Sequence, residues 1–291
     1  MLKLDKILEM KRFALEIRRN ILKSIAAIGS GHVGGSLSIA DAFAVLYSGV
    51  MNVDPKRPRW PDRDYIVMSK GHAGPVMYAT LALKGYFPIE MLETLNQNGT
   101  MLPSHTDRNK TSGVDMTTGS LGQGASTAAG LAFADKLDGK DRRTYLILGD
   151  GELDEGQVWE SFLFVSHRQL TNLITMVDVN QKQLDGTTDM VCSLGDIAAK
   201  FEAFGYRVID IENGNDVAQV FEALQQAQKS VDKPPVILLR TSKGAGVSLY
   251  ANMANCHSCT VGDEDLNSVL TELDKTEQQL NERRAYDRKA T

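Results

Sequence analysis

The sequence predicts an α/β fold, a doubly wound and mainly parallel sheet flanked by helices, on three observations. Short apolar runs recur along the chain, segments of helical period alternate with them, and polar glycine-bearing motifs fall where the apolar runs stop. Taken in order, residues 1–22 mix Lys3, Lys6, Glu9, Lys11 and Arg12 with apolar residues at helical spacing and read as a docked amphipathic helix. Helical patterns also cover residues 13–28 and 38–47. Tyr65–Met68 is a strand, and residues 75–83 and 124–136 are helices. Residues 145–148 are apolar and stopped by Gly149, and Leu173–Val179 repeats the pattern, so both are strands buried on two faces. Helical spacing over residues 155–169 joins them into a strand–helix–strand unit. Strands at residues 206–211 and 236–239, with helices at 194–204 and 217–229, extend the alternation. A charged helical stretch follows over residues 263–289. No repeat, low-complexity tract or linker interrupts this order, and a single domain over residues 1–291, with an amino-terminal helix and a carboxyl-terminal helical extension, is expected.

Composition narrows the function classes. A chain of 291 residues can bury a substantial core as one large α/β domain. Its net charge of −5, with no basic stripe studded with aromatics, argues against a nucleic-acid surface. The amino terminus has neither the continuous apolar core of a signal segment nor an 18-residue membrane run, so a cytoplasmic protein is expected. Three cysteines, Cys192, Cys256 and Cys259, are too few for a disulfide framework. Cys256 and Cys259 form a C-x-x-C with no second pair to complete a four-ligand zinc site, and they read as free thiols beside His257. Residues 29–34, Gly-Ser-Gly-His-Val-Gly, fit the dinucleotide fingerprint, but a helical pattern precedes them where a strand is required. A glycine-rich elbow that presents His32 to a pocket is the better reading.

The most informative motif is Gly149-Asp150-Gly151, at the end of one predicted strand, answered by Asn180 at the end of the next. Asp150 and Asn180 then lie at the carboxyl ends of neighbouring strands, where open α/β sheets bind ligands. A carboxylate and an amide oxygen converging there suit a hard cation such as Mg²⁺, with Ca²⁺ or Mn²⁺ as substitutes, that keeps positions open for phosphate oxygens. Gly151 lets a diphosphate approach the backbone, and the following helix offers it unpaired N–H groups.

Residues 149–156 and 178–186 together resemble the thiamine diphosphate motif of transketolases. The resemblance continues, in family order, through Gly29-Ser30-Gly31-His32, Ser69-Lys70-Gly71-His72-Ala73, residues 117–124 around Gly119-Ser120-Leu121, and Thr241-Ser242-Lys243-Gly244. It spans almost the whole chain. It implies the thiamine-diphosphate-binding fold of the diphosphate (PP) type, with Asp150, Asn180 and the main-chain carbonyl of Lys182 as metal ligands. By the same resemblance His32, His105 and His257 face the substrate, His72 and His257 approach the cofactor, and Gly119, Ser120 and Leu121 run along its aminopyrimidine. Glu155 matches an acid that the family uses in a carboxylate network between subunits. His167, isolated on a predicted helix, reads as structural.

The activity implied is ketol transfer, in which a two-carbon unit passes from a ketose phosphate to an aldose phosphate. Full-length transketolases carry two further domains, so the length implies the amino-terminal half of a split enzyme, with an artificial fragment of a longer chain as the competing explanation. Its partner would be a carboxyl-terminal subunit with the pyrimidine-binding domain, the two forming a heterotetramer. Two departures leave substrate preference open: Ser104-His105-Thr106 stands where the family commonly has Gly-His-Pro, and Ser258 where many members have glycine. A 1-deoxyxylulose-phosphate synthase, the α chain of a 2-oxo-acid dehydrogenase, and a non-catalytic subunit that retains the fold remain alternatives at this point.

Overall fold

The computed structural model describes the backbone of residues 3–290 and the side chains of residues 3–282. In order the chain forms α1 (Leu4–Ala26), β1 (Ser30–Gly31), α2 (Gly34–Leu37), α3 (Ala40–Val45), β2 (Tyr65–Met68), α4 (Gly74–Leu83), α5 (Gln123–Leu137), β3 (Thr144–Gly149), α6 (Gly156–His167) and β4 (Leu173–Val179). It continues through α7 (Thr188–Val191), α8 (Ile197–Ala203), β5 (Arg207–Ile211), α9 (Val217–Ala227), β6 (Pro235–Arg240), α10 (Ser248–Ala251), β7 (Cys259–Thr260) and α11 (Asp263–Ala290).

Strands β2 to β6 form one sheet in the order β2-β3-β4-β6-β5, with every neighbouring pair parallel. The two-residue side-chain period divides each central strand between two cores. In β3, Tyr145 and Ile147 pack with residues of α1, α3, α4 and α9, whereas Leu146 and Leu148 pack with residues of α5, α6 and α8. Helices therefore cover both faces, which explains why the strands carry no polar side. The order reverses where β6 inserts between β4 and β5, and such a reversal opens a crevice at the carboxyl ends.

Several boundaries differ from the sequence-based ones for local reasons. Helix α1 runs unbroken from Leu4 to Ala26, joining the amphipathic stretch expected over residues 1–22 to the helical pattern over residues 13–28, with Leu8 and Met10 already buried beneath its charged face. The helix expected at 38–47 starts only at Ala40, since Ile39 (φ −111°, ψ 12°) is bent away and the Ser38 hydroxyl is bonded to Asp178. It then passes into a wide turn over Leu46–Val50 in which Gly49 has φ +112°. Helix α8 starts at Ile197 because Asp196 caps it, accepting from the Ala199 N–H at 2.9 Å. The antiparallel pair β1–β7, in the register Ser30↔Thr260 and Gly31↔Cys259, was not legible in the sequence. It fastens the segment before His32 to the one after His257. Among the described residues no helix is long and apolar enough to cross a membrane.

Candidate active site

The carboxyl ends of β2, β3, β4 and β6 deliver Lys70, Asp150, Asn180 and Lys243 to one cavity of about 270 Å³. Register sets this up: Gly149 lies opposite Asp178, so Asp150 and Asn180 follow just beyond the ends of adjacent strands. His32, His72, His105 and His257 line the same cavity, along with Gly119, Leu121, Gly151 and Lys182. The His32 ring centroid lies 5.5 Å from His72, 5.7 Å from His105 and 5.4 Å from His257, and His72 and His257 are 4.8 Å apart. Two glycines permit this convergence of distant segments. A Cβ on Gly34 would meet the Cys256 Sγ at 2.5 Å, and one on Gly71 would meet the Thr118 Oγ1 at 2.8 Å. The first contact brings the His32 segment against the His257 segment, and the second brings the His72 turn against Gly119.

Asp150 is 2% exposed, and its oxygens accept from the main-chain N–H groups of Gly151 (2.9 Å) and Gln181 (2.5 Å). Asn180 Oδ1 accepts from the Lys182 N–H at 3.1 Å, while its Nδ2 donates to Asp178 Oδ2 at 2.9 Å. Asp178 thus fixes which way the amide faces. This fully buried carboxylate is a hub: it also accepts from Ser38 Oγ (2.6 Å), Lys70 Nζ (2.5 Å) and the Thr241 hydroxyl. Burial alone would raise its pKa, but Lys70 and the hydroxyl donors outweigh that and hold it below the ordinary carboxylate value.

Asp150 has no such partner. Burial, reinforced by the Asp178 charge, pushes its pKa up to about 6. A bound cation would relieve that penalty. The Lys182 carbonyl already faces a positive charge, accepting from Lys243 Nζ at 2.9 Å. One carboxylate, one amide oxygen and one main-chain carbonyl form an all-oxygen donor set, which fits a hard divalent cation. Lysines at positions 70 and 243 add positive charge to the cavity wall, which fits a diphosphate.

The four imidazoles are held neutral. Burial, with the Lys70 charge second, lowers His72 to about 2; burial and Lys243 lower His257 to about 4. His32 is lowered by burial, His105 and Lys243, and His105 by burial alone. Neutral rings can accept protons from substrate hydroxyls, which protonated ones cannot. His167 stands apart, exposed at the end of α6.

Ser120 and Glu155 are exposed and do not line the cavity. The glutamate that does is Glu152, which is 2% exposed and accepts from Ser69 Oγ (2.5 Å) and from the N–H groups of Gly122 (2.8 Å) and Gly149 (3.2 Å). Sequence reasoning assigned no role to Glu152, Lys70, Asp178 or Lys243, although all four lie inside the motifs quoted for the resemblance. The available signal was a polar residue inside or directly after an apolar strand, as with Asp178 in β4.

Residues 10–281 match the family described as transketolase, thiamine diphosphate binding domain. The chain belongs to the transketolase family. It is 46% identical over 268 residues to the 6-deoxy-6-sulfo-D-fructose transketolase subunit SqwG of Clostridium sp. (strain MSTE9), a match that covers 92% of this chain and 97% of that one. It is 38% identical over 266 residues to an apulose-4-phosphate transketolase subunit of Actinobacillus succinogenes, covering 91% and 96%. Among solved structures, the transketolase of Leishmania mexicana superposes with a TM-score of 0.85 at 30% identity. That match covers 97% of this chain and 46% of the Leishmania chain, so the chain spans about half of a whole transketolase. It is a transketolase-type enzyme subunit carrying the thiamine-diphosphate-binding fold.

Proposed function

We propose that the chain is the diphosphate-binding subunit of a two-chain transketolase, moving a two-carbon ketol unit from a ketose to an aldose. The observation that supports this best is the joining, in one cavity, of an all-oxygen cation site to a wall of neutral imidazoles. Mg²⁺ would be held by Asp150, Asn180 and the Lys182 carbonyl, with Ca²⁺ or Mn²⁺ as substitutes. Thiamine diphosphate, when bound, supplies the electron sink for breaking and remaking the carbon–carbon bond. The chain's own residues do the rest. Gly151 gives the diphosphate close approach, and Gly119 and Leu121 line the same cavity for its pyrimidine side, with Ser120 beside them. His72 and His257 pack toward the cofactor. His32, His105 and His257 accept protons from substrate hydroxyls on ring nitrogens and return them.

The two relatives above act, as their names state, on a sulfonated and a phosphorylated sugar. The substrate class proposed for this chain is accordingly a monosaccharide with a terminal anionic group, a sugar phosphate in the first instance. Those relatives are named as subunits, which supports a separate partner; the pyrimidine-binding and carboxyl-terminal domains are proposed to lie on it. The proposed assembly is a cytoplasmic heterotetramer in which residues 1–291 act as a single domain. The exposed Glu155, at the start of α6, would meet the neighbouring subunit there.

Calorimetric titration tests the cation site. Asp150→Ala and Asn180→Ala, each mixed with the partner, are expected to lose Mg²⁺-dependent thiamine diphosphate binding while remaining folded. Undiminished affinity in both variants would overturn the metal assignment.

A further inference from the structure

A second cavity, of about 540 Å³, lies between the turn before β2 and the loop that carries His105 to Gly119, and it shares no lining residue with the active site. Four cations line it, Arg59, Arg63, Arg108 and Lys110, against the single carboxylate of Asp115. That carboxylate is fully used. One oxygen accepts from Arg63 Nη2 at 2.5 Å and the other from the Ile66 N–H at 3.0 Å. Arg63 is further held by donating to the Trp60 carbonyl at 3.0 Å and by stacking over the Tyr65 ring at 4.7 Å. Asp115 therefore pairs with Arg63 alone, and its charge reaches Arg108 only at a distance. The side chains of Arg59, Arg108 and Lys110 form no ion pair or hydrogen bond among the described residues, although the chain as a whole carries a net charge of −5.

Three unpaired cations around one concavity, on an acidic protein, cost electrostatic energy that an anion would remove. They come from two separate segments. Arg59 is on the turn before β2, while Arg108 and Lys110 are on the outer turn of the loop, so a ligand engaging both must carry negative charge at more than one point. The planar guanidinium groups favour tetrahedral oxyanions bound two-pronged. Met101, Val114 and Leu131 also line the cavity, which gives the carbon skeleton of an organic anion some apolar contact. The loop is built to hold its shape. Its base is closed by the Thr118 N–H donating to the Thr106 carbonyl at 3.1 Å and by their hydroxyls meeting at 2.8 Å, and Thr111 is bonded to the Met101 carbonyl. We propose that this cavity is a binding site for a small organic anion carrying at least two phosphate groups, separate from the diphosphate site of the cofactor.

Inorganic triphosphate is a suitable probe, titrated calorimetrically into the full chain at fixed salt without added metal. The active-site lysine variant Lys243→Gln serves to separate the two sites, and circular dichroism checks that each variant is folded. The double variant Arg108→Gln/Lys110→Gln, altered only at exposed side chains, is expected to lose at least roughly tenfold in triphosphate affinity, while Lys243→Gln keeps the component that the double variant loses. Arg59→Gln should weaken the same component. Loss confined to Lys243→Gln would place all anion binding in the active site and overturn the proposal, as would the absence of saturable binding at millimolar triphosphate. If the double variant kept triphosphate affinity but failed to associate with the partner subunit, the cavity would be a contact for an acidic segment of that partner, and the small-anion site would be refuted.

Discussion

At His72, burial and the neighbouring Lys70 charge hold the imidazole neutral down to about pH 2, and this has a consequence for stability. The folded-state pKa lies far below the unfolded value of about 6.5, so the unfolded chain takes up a proton that the folded chain refuses. The associated stability is fully present above pH 6.5 and is lost as pH falls from there toward 2, at up to about 1.4 kcal/mol per pH unit. Urea unfolding from pH 7 to pH 4.5 should therefore be steeply acid-sensitive in the native chain and less so in His72→Gln; equal slopes would show that His72 is not held neutral. Replacing His32, His105 or His257 by Ala is expected to lower turnover by roughly 10²–10⁴-fold with a much smaller effect on cofactor affinity, because the role proposed for these rings is toward the reacting groups. His167→Ala is the control, and a comparable loss there would remove the basis of the assignment. The histidines were legible in the sequence because each sits in a short motif beside glycine or in a polar loop. The hub at Asp178 was not, since its donors come from residues 38, 70, 180 and 241 and only the folded chain gathers them.

Elements were legible where their packing is simple. The strands β3 and β4 carry no polar face because both their faces are covered, and that pattern is visible in any reading of period. Boundaries were less so, since they depend on single contacts: the Asp196 cap at α8 and the Ser38 bond that delays α3. The pairing of β1 with β7 involves two residues on each side and leaves no periodic trace. The hub between elements carries its own test. Asp178 at the end of β4 binds the turn after β2, the segment before α3 and the segment after β6, so Asp178→Ala leaves the Lys70 ammonium buried and unpaired. A loss of about 3–5 kcal/mol is expected in urea unfolding. Asp178→Asn keeps the shape and should cost less. If Asp178→Ala were as stable as the native chain, the hub would not hold these elements together.

For the whole molecule, the fold gathers the residues of the proposed cation site and the four imidazoles in one cavity at the carboxyl ends of the strands, and relatives of matching length are named as transketolase subunits. A cofactor bound between two chains links its own affinity to their association, each raising the other. Thiamine diphosphate with Mg²⁺ should thus shift sedimentation of the mixed subunits toward the heterotetramer, and an unchanged distribution would argue against a shared cofactor site. The central claim, that this chain is one half of a two-chain ketol transferase, is tested most directly by a ketol-transfer assay at saturating thiamine diphosphate and Mg²⁺, with the chain alone and then titrated with a pyrimidine-domain subunit. No turnover by the chain alone, and activity that rises to a plateau at equimolar partner, is the expected result; full turnover by this polypeptide without a partner would contradict it.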